Sequence, residues 1–325
     1  MIRKLILTIV SLAFLLAGCA PARTATPAPT QPLPTPSQPL PTPVPTATPI
    51  SLTDGLKRAV SLPAPAQRIV SLAPSNTEIL FAIGGGSQVV GRDSFSDYPA
   101  EAKSVADIGG STGNYNTEAI VALHPDLILA GEINPPELVA SLQQLGLTVY
   151  FLPNPSGLDG LYANLRTVGL LTGHSAQAAA LVSSLQARVA AVDAKVAAAA
   201  SHPSVYYELD ATDPTKPYTA GPGTFVDLLI ARAGGTNFGA QLKEQWAQIS
   251  LEQLVVGNPS IVILGDSAYG VTPASFASRP ALDQLAAVKA NQVYPFDDNL
   301  VSRPGPRLVD GLEALAKLIH PELFK

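Results

Sequence analysis

The sequence predicts an α/β fold of two lobes bridged by one long, rigid α-helix. Apolar, strand-like runs alternate with helical patterns along the chain, an alanine-rich helical run lies midway, and one segment recurs 134 residues later. Strands that alternate with helices build parallel sheets covered by helices. The predicted parts are an N-terminal α/β lobe over residues 51–174, the bridging helix over 175–201 and a C-terminal α/β lobe over 202–325.

In the N-terminal lobe, the run at residues 68–73 predicts a buried strand. The next residues, Ser75 to Glu78, have the spacing of a capping box and predict the start of a helix that stops at the glycines 84–86. Further strands are predicted at 127–130 and 147–151, with helices between them.

The bridging helix is predicted from apolar residues spaced three and four apart in an alanine-rich setting: Leu181, Leu185, Val189, Val192 and Val196. Ser175 is the predicted N-cap, and Ser201-His202-Pro203 is the predicted stop. At 1.5 Å per residue the helix is about 35–40 Å long, the length of a small domain.

The C-terminal lobe repeats the alternation of strands and helices. Its predicted strands are 205–209, 261–264 and 293–296, and its predicted helices are 225–233, 251–256 and 308–319. Residues 116–129 align with 250–263 at a constant offset, so Glu118 and Glu252 are expected at equivalent places in the two lobes. Two lobes joined by one helix leave a cleft between them, where ligand sites preferentially lie.

The N-terminal segment is predicted to be a lipoprotein signal peptide over residues 1–18, followed by a tether over 19–50. A basic start and a short apolar run precede Gly18-Cys19, and Cys19 is the only cysteine in the chain. Residues 21–49 contain eleven prolines, which predicts an extended spacer. A lipid on Cys19 would anchor the protein outside the cytoplasm. The alternatives are a free thiol after an ordinary signal peptide and a mucin-like stalk.

Composition and motifs exclude several classes of function. The formal charge is −5 and basic runs are missing, which argues against binding of nucleic acid. The histidines lie far apart without metal-ligand spacing, so neither a protein-built metal site nor an intrinsic cofactor is expected. Residues 265–270 are not a Gly-x-Ser-x-Gly nucleophile elbow, and the glycines 84–86 are not a phosphate loop. The sequence therefore predicts that the protein is not an enzyme. A surface module without a ligand remains an alternative.

Three segments carry a resemblance to a known family: Arg68 to Glu78, Ser96 to Pro99 and Glu118 to Leu129. They resemble the cobalamin and ferric-siderophore binding proteins of ABC importers, most closely the cobalamin-binding members. The resemblance covers roughly residues 66–322. It implies two Rossmann-like lobes on a helical backbone, the class III arrangement. It also implies a monomer that captures a small molecule in the cleft and delivers it to a dimeric permease.

The resemblance also implies a set of ligand-binding positions: Phe95, Thr112, Tyr218, Trp246, Asn299 and Arg303. Thr112 and Gly131 stand where the cobalamin binder has tryptophans, and Asn299 stands where it has an aspartate. The pocket is therefore expected to be wider, less aromatic and less acidic. Aromatic faces suit a flat macrocycle. The alternative for Phe95, Tyr218 and Trp246 is packing in the core.

The resemblance assigns Glu118 and Glu252 to docking against arginines of the permease. A pseudo-twofold pair of carboxylates suits a symmetric partner, although the first turn of a helix favours a carboxylate in any case. The ligand is expected to be a corrinoid. The alternative is a ferric siderophore, haem or another metal chelate, for which Arg92, Arg279 and Arg303 are candidate contacts.

Overall fold

The structure is a computed structural model that describes residues 49–110 and 113–325. Cys19, Thr112 and nearly all of the predicted signal peptide and tether lie outside the described residues. Ile50, the last residue of the predicted tether, is the first residue of the first strand. None of the helices in the described ranges is long and apolar enough to cross a membrane.

The N-terminal lobe begins with an antiparallel hairpin of β1 (Ile50–Thr53) and β2 (Ala59–Leu62). A five-stranded parallel sheet follows in the order β5-β4-β3-β6-β7. Its strands are β3 (Ile69–Ser71), β4 (Val89–Arg92), β5 (Ala106–Asp107), β6 (Leu127–Ala130) and β7 (Val149–Phe151). The helices of this lobe are α1 (Pro74–Ala82), α2 (Thr117–Ala122), α3 (Pro136–Gln144) and α4 (Leu158–Thr172).

The bridging helix is α5 (Ser175–Val196). Its Leu185, Val189 and Val192 are buried in the largest core cluster, to which both lobes contribute. The prediction of one long helix at this place is therefore confirmed. The predicted cap is wrong: Ser175 is already helical, and the N-cap residue is His174, whose Nδ1 lies 3.0 Å from the carbonyl oxygen of Thr172.

The C-terminal lobe holds a second sheet, ordered β11-β9-β8-β12-β13, with β10 also paired to β8. Its strands are β8 (Ser204–Asp210), β9 (Tyr218–Ala220), β10 (Thr236–Asn237), β11 (Trp246–Gln248), β12 (Ile261–Leu264) and β13 (Val293–Pro295). The helices are α6 (Phe225–Arg232), α7 (Leu251–Gly257), α8 (Pro273–Ala277), α9 (Ala286–Lys289), α10 (Asn299–Ser302) and α11 (Leu308–Ile319). β8, β12 and β13 are parallel, whereas β9 and β11 are antiparallel to their neighbours.

The internal repeat is present in three dimensions. Helix α2 and strand β6 correspond to α7 and β12, with the starts of both elements 134 residues apart in the sequence. The N-caps correspond as well: Asn116 Oδ1 accepts a hydrogen bond from Ala119 N–H, and Ser250 Oγ accepts one from Gln253 N–H. Glu118 and Glu252 therefore occupy equivalent places in the first turns of α2 and α7.

Successive side chains of the repeated strands β6 and β12 point to opposite faces of the sheet, and they divide the core in the same way in both lobes. Residues 127 and 129 of β6, like residues 261 and 263 of β12, point into the large central cluster. Residues 128 and 130, and their counterparts 262 and 264, point into a separate outer cluster of each lobe. Side chains that alternate between two buried faces explain why these strands are apolar throughout.

The start of α1 differs from the prediction. The helix begins at Pro74 with Ala73 as its N-cap, so Ser75 does not cap it and the predicted capping box is wrong. Glu78 is instead buried, and its carboxylate receives Arg303 and Arg307 from the other lobe. Proline at the first helical position has a preset φ and needs no capping partner for its nitrogen.

Candidate functional site

A cavity of about 460 Å³ lies between the two lobes. On the N-terminal side it is lined by the start of α1 at 73–76 and by loops at 95, 131–133 and 152–155, all of which follow the carboxyl ends of parallel strands. On the C-terminal side it is lined by residues 223–225, 245–246 and 301–304. Ligand sites of open α/β sheets lie outside the carboxyl ends of the strands, as this lining from the N-terminal lobe does.

Two of the predicted aromatic residues line this cavity from opposite lobes. Phe95 lies in the loop after β4 and is 53% exposed, and its backbone N–H donates to Asp93 Oδ1 at 2.9 Å. Trp246 is the first residue of β11 and is 45% exposed. Neither side chain is part of the core. Their open faces are available to a ligand.

Tyr218 and Asn299 do not line the cavity. Tyr218 pairs with Gln248 across β9 and β11, which places it on the same face as Trp246 but diagonal to it. The side chain of Tyr218 is partly exposed. Asn299 begins α10, is half-buried and donates from Nδ2 to Asp297 Oδ1 at 2.9 Å. Its role in binding stays a prediction.

Arg303 lines the cavity and is held by two carboxylates of the opposite lobe. Its Nη1 lies 2.7 Å from Asp97 Oδ1 and 3.3 Å from Glu78 Oε1. Arg307 donates to the same Glu78 through Nε at 2.9 Å and Nη2 at 2.6 Å, and its guanidinium lies 4.0 Å from the ring centre of Tyr98. These contacts form a seam between the lobes, which we call the Glu78 seam.

Neutral amides supply much of the remaining polar lining. Asn76 and Asn164 donate from Nδ2 to the carbonyls of Leu129 and Pro153, at 3.2 and 2.9 Å. These bonds fix the two side chains in the wall of the cavity. Asn154 and Gln245 contribute two further amides. These positions could not be recognised from the sequence, because isolated asparagine and glutamine residues are common in loops.

Gly131 also lines the cavity. A Cβ built there would lie 3.6 Å from Ala73 Cβ and from Asn76 Nδ2, which is ordinary van der Waals contact. A side chain would therefore fit at position 131, and its absence leaves this space open to a ligand. Thr112, the other predicted replacement of a tryptophan, lies outside the described residues.

The other two candidate arginines are occupied elsewhere. Arg92 donates to the carbonyls of Ala102 and Asp93 and lies 3.3 Å from Asp107 Oδ2. Arg279 donates through both Nη atoms to Glu208, at 2.6 and 2.8 Å. Neither lines the cavity.

Asp266 is a buried carboxylate next to this arginine. No side chain of the described residues makes a hydrogen bond to either of its oxygens. Burial and the negative charge of Glu208 raise the pKa of Asp266 to about 7, against the opposing charge of Arg279. Asp266 therefore carries a proton over part of the physiological pH range. Within the described ranges, no group of three or more His, Cys, Asp or Glu side chains is placed to hold a metal ion.

Glu118 and Glu252 are both exposed on their helices. The hydrogen bond to Ser250 and the backbone N–H of the first helical turn lower the pKa of Glu252. Glu252 is thus ionised at neutral pH.

Two α/β lobes on one bridging helix, with a cavity between them, define the class III fold of periplasmic binding proteins. Residues 69–300 match the family model described as periplasmic binding protein. The chain is 33% identical over 282 residues to an uncharacterized ABC transporter substrate-binding lipoprotein of Bacillus subtilis, covering 85% of this chain and 87% of that one.

Two further relatives carry named ligands. A cobalamin-binding protein of Halobacterium salinarum is 32% identical over 279 residues, covering 84% of this chain and 74% of that one. The apo structure of a periplasmic heme-binding protein from Roseiflexus sp. RS-1 superimposes with a TM-score of 0.71 and 29% identity, covering 79% of this chain and 99% of that one. The chain therefore belongs to the periplasmic binding protein family and is a substrate-binding protein of the ABC-transporter type.

Proposed function

We propose that this protein captures a corrinoid in the cavity between its lobes and delivers it to an ABC permease. The observation that carries the proposal is the lining itself: two open aromatic faces on opposite lobes and a set of neutral amides. Aromatic faces give a macrocycle a large, rigid contact area. Amides can donate to and accept from the amide side chains that surround a corrin ring. The cobalamin-binding relative in Halobacterium supports the same ligand class.

Haem is the second candidate, because a structural neighbour binds heme. A haem iron is normally held by a histidine, cysteine, methionine or tyrosine of the protein. None of the described residues that line the cavity is of these four types. A corrinoid does not require a protein residue that ligates its metal, since its cobalt can carry both of its own axial ligands. The lining therefore favours the corrinoid.

Anionic ferric siderophores are the third candidate. They would favour uncompensated arginines in the cavity. Arg92 and Arg279 are paired away from the cavity, and Arg303 is paired with Asp97 and Glu78. No free cation among the described lining residues is available to such a ligand.

A spectral titration tests the ligand class. Cyanocobalamin, dicyanocobinamide and hemin are each added to the purified protein, and the visible spectrum is followed to saturation. The proposal requires a saturable, one-to-one change with the two corrinoids and weaker binding of hemin. Saturation by hemin alone, with no response to either corrinoid, would replace the proposal by the second candidate.

We propose further that Glu118 and Glu252 dock against the permease. They lie in equivalent first turns of α2 and α7, exposed, one on each lobe. Equivalent charges on two lobes match a partner made of two equivalent subunits, and such charges set the register and the rate of association.

Charge reversal tests the docking. The double variant Glu118→Arg with Glu252→Arg should abolish stimulation of the permease ATPase in liposomes and leave the dissociation constant for ligand unchanged. The matched control is Glu137→Arg, because Glu137 is an exposed glutamate in the first turn of α3. Equal loss in the control, or loss of ligand affinity in the double variant, would remove Glu118 and Glu252 from the docking surface.

The lipid anchor is also a proposal. Cys19 has the expected position after a signal-like segment, and the Bacillus relative is named a lipoprotein. Replacing it (Cys19→Ser) should release the protein from the membrane fraction, and intact-mass measurement should detect lipid on the unmodified sequence only. An identical membrane fraction in both proteins would contradict the anchor.

A further inference from the structure

Arg303 is the only cationic side chain among the described residues that line the cavity; the other charged lining residue is Glu132. An arginine in a ligand cavity normally attracts carboxylates, phosphates and other anions. The charge of Arg303, however, does not face the ligand alone. Its Nη1 is shared between Asp97 and Glu78, and both carboxylates come from the opposite lobe.

The two carboxylates differ in accessibility. The side chain of Glu78 is 2% exposed and that of Asp97 is 50% exposed, whereas that of Arg303 is 15% exposed. Arg307 also binds Glu78, because it donates to both of its carboxylate oxygens. Asp297 Oδ2 also lies 4.0 Å from Arg307 Nη1, so the cluster holds two arginines and three carboxylates and has no excess positive charge. Of the two carboxylates that contact Arg303, Asp97 is the one that faces solvent.

We propose that Asp97 and Glu78 act as a charge filter: by neutralising Arg303, they make the cavity select ligands without net negative charge and reject polyanionic metal chelates. This inference rests on the proposed function, because it concerns the same cavity. It assigns selectivity to residues that do not themselves line the cavity. Arg307 is a positioning residue, since it fixes Glu78 and, with it, the guanidinium of Arg303.

The filter follows from simple electrostatics. An anionic ligand group could bind Arg303 only by displacing Asp97 or by accepting repulsion from its charge. Partial burial by itself would raise the pKa of Asp97, but the hydrogen bond and the charge of Arg303 hold it below its ordinary value. Asp97 is thus ionised at neutral pH. A neutral ligand experiences neither effect, because it has no net charge for Asp97 to repel.

The test variant is Asp97→Asn, which keeps the size of the side chain and removes one negative charge. Three probes are titrated into wild type and variant: cyanocobalamin and ferrichrome, which are neutral, and ferric enterobactin, which is a polyanion. The variant should bind ferric enterobactin roughly three- to tenfold more tightly, the effect of one nearby charge at a partly exposed site. The affinities for cyanocobalamin and ferrichrome should change less than about twofold, because they carry no charge for the filter to act on.

The dependence of the affinity on ionic strength distinguishes an electrostatic effect of Asp97 from a structural one. The gain for ferric enterobactin should shrink as salt is raised from about 0.01 M to 1 M, because the screening length falls from about 30 to 3 Å. The matched control is Asp310→Asn. Asp310 pairs with Arg188 on α5, away from the cavity, and Arg188 keeps Glu313 as a second partner just as Arg303 keeps Glu78.

The outcomes are separable from those of the proposed function. Failure of the wild type to bind any corrinoid overturns the corrinoid assignment but leaves the comparison of ferric enterobactin with ferrichrome intact. A wild-type affinity for ferric enterobactin too weak to measure is expected of a filter, and Asp97→Asn must then bring binding into range. An unchanged or uniformly changed affinity for all three probes overturns the filter. Asp97→Ser repeats the test if the asparagine variant does not fold.

Discussion

At the scale of single residues, the open faces of Phe95 and Trp246 are the most direct sign of a ligand. Apolar ring surface is unfavourable in water, and the protein leaves about half of each of these residues exposed. Both lie in the lining of one cavity, although they are 151 positions apart in the sequence. Trp246 is also the only tryptophan of the chain, so its fluorescence reports on the cavity.

Replacing Trp246 by alanine should weaken corrinoid binding by about 1–3 kcal/mol, the range expected of a stacked aromatic anchor. Isothermal titration of wild type and variant with cyanocobalamin measures the change. Tyr269→Ala is the control, because Tyr269 is the most exposed of the large apolar side chains recorded for the described residues and does not line the cavity. Equal affinities of wild type and Trp246→Ala would remove Trp246 from the site.

Asp266 predicts a pH dependence of stability. Its pKa is about 7 in the folded protein and near 3.8 in the unfolded chain, so the folded protein binds the proton more tightly. Between these values the folded state holds more protons than the unfolded state, and the free energy of unfolding therefore falls as the pH rises from about 4 to about 7. Above pH 7 the free energy of unfolding stays at this lower value, as far as Asp266 is concerned.

Asp266→Asn should remove this dependence, since an amide does not titrate. Urea unfolding at pH 5 and pH 8 measures it: the variant should lose less stability than wild type between the two pH values. Asp283→Asn, on an exposed aspartate of the same lobe, controls for the change in net charge. The same difference between pH 5 and pH 8 in wild type and Asp266→Asn would contradict the raised pKa.

At the scale of elements, the buried parallel strands could be predicted with accurate bounds. The predicted strands 127–130 and 261–264 are β6 and β12 to the residue, and the predicted helix 308–319 is α11. Such strands are buried on both faces, so every residue is apolar and the run ends where the strand ends. Helix α11 is recognisable because its apolar residues recur on one face.

The short antiparallel strands could not be predicted in the same way. Strands β9 and β11 have three residues each and carry tyrosine, threonine, tryptophan and glutamine, without the alternation that marks a longer strand. Their position depends on pairing with β8 and with each other. Because Trp246 lies on β11, its residue type could be noticed in the sequence but its place in the cavity could not.

The Glu78 seam shows why part of the site is hidden from local patterns. In the sequence, Glu78 stands three positions after Ser75, which is the spacing of the acidic residue in a capping box. Its partners Arg303 and Arg307 lie more than 220 residues further along the chain. A tertiary ion pair of this kind overrides the local preference, and only the fold brings the charges together.

At the scale of the whole molecule, several contacts oppose a large movement of the lobes. Helix α5 contributes to a core shared by both lobes. On the C-terminal side it is tied by Arg188 to Asp310 and Glu313, and by Asp193 to Arg232. The Glu78 seam connects the lobes directly at the cavity. The ion pairs of one buried carboxylate with two arginines are costly to break, because separation would leave buried charges unpaired.

Preorganised binding sites move their backbone by about 1 Å or less on binding, so ligand should leave the radius of gyration almost unchanged. Small-angle X-ray scattering with and without saturating cyanocobalamin measures the change. In Glu78→Gln the arginines lose their buried charge partner, so the free protein should open, and the ligand-induced decrease should exceed that of wild type. Glu137→Gln, on an exposed glutamate of α3, should behave as wild type. A contraction of several ångströms in wild type would mean that neither α5 nor the Glu78 seam limits closure.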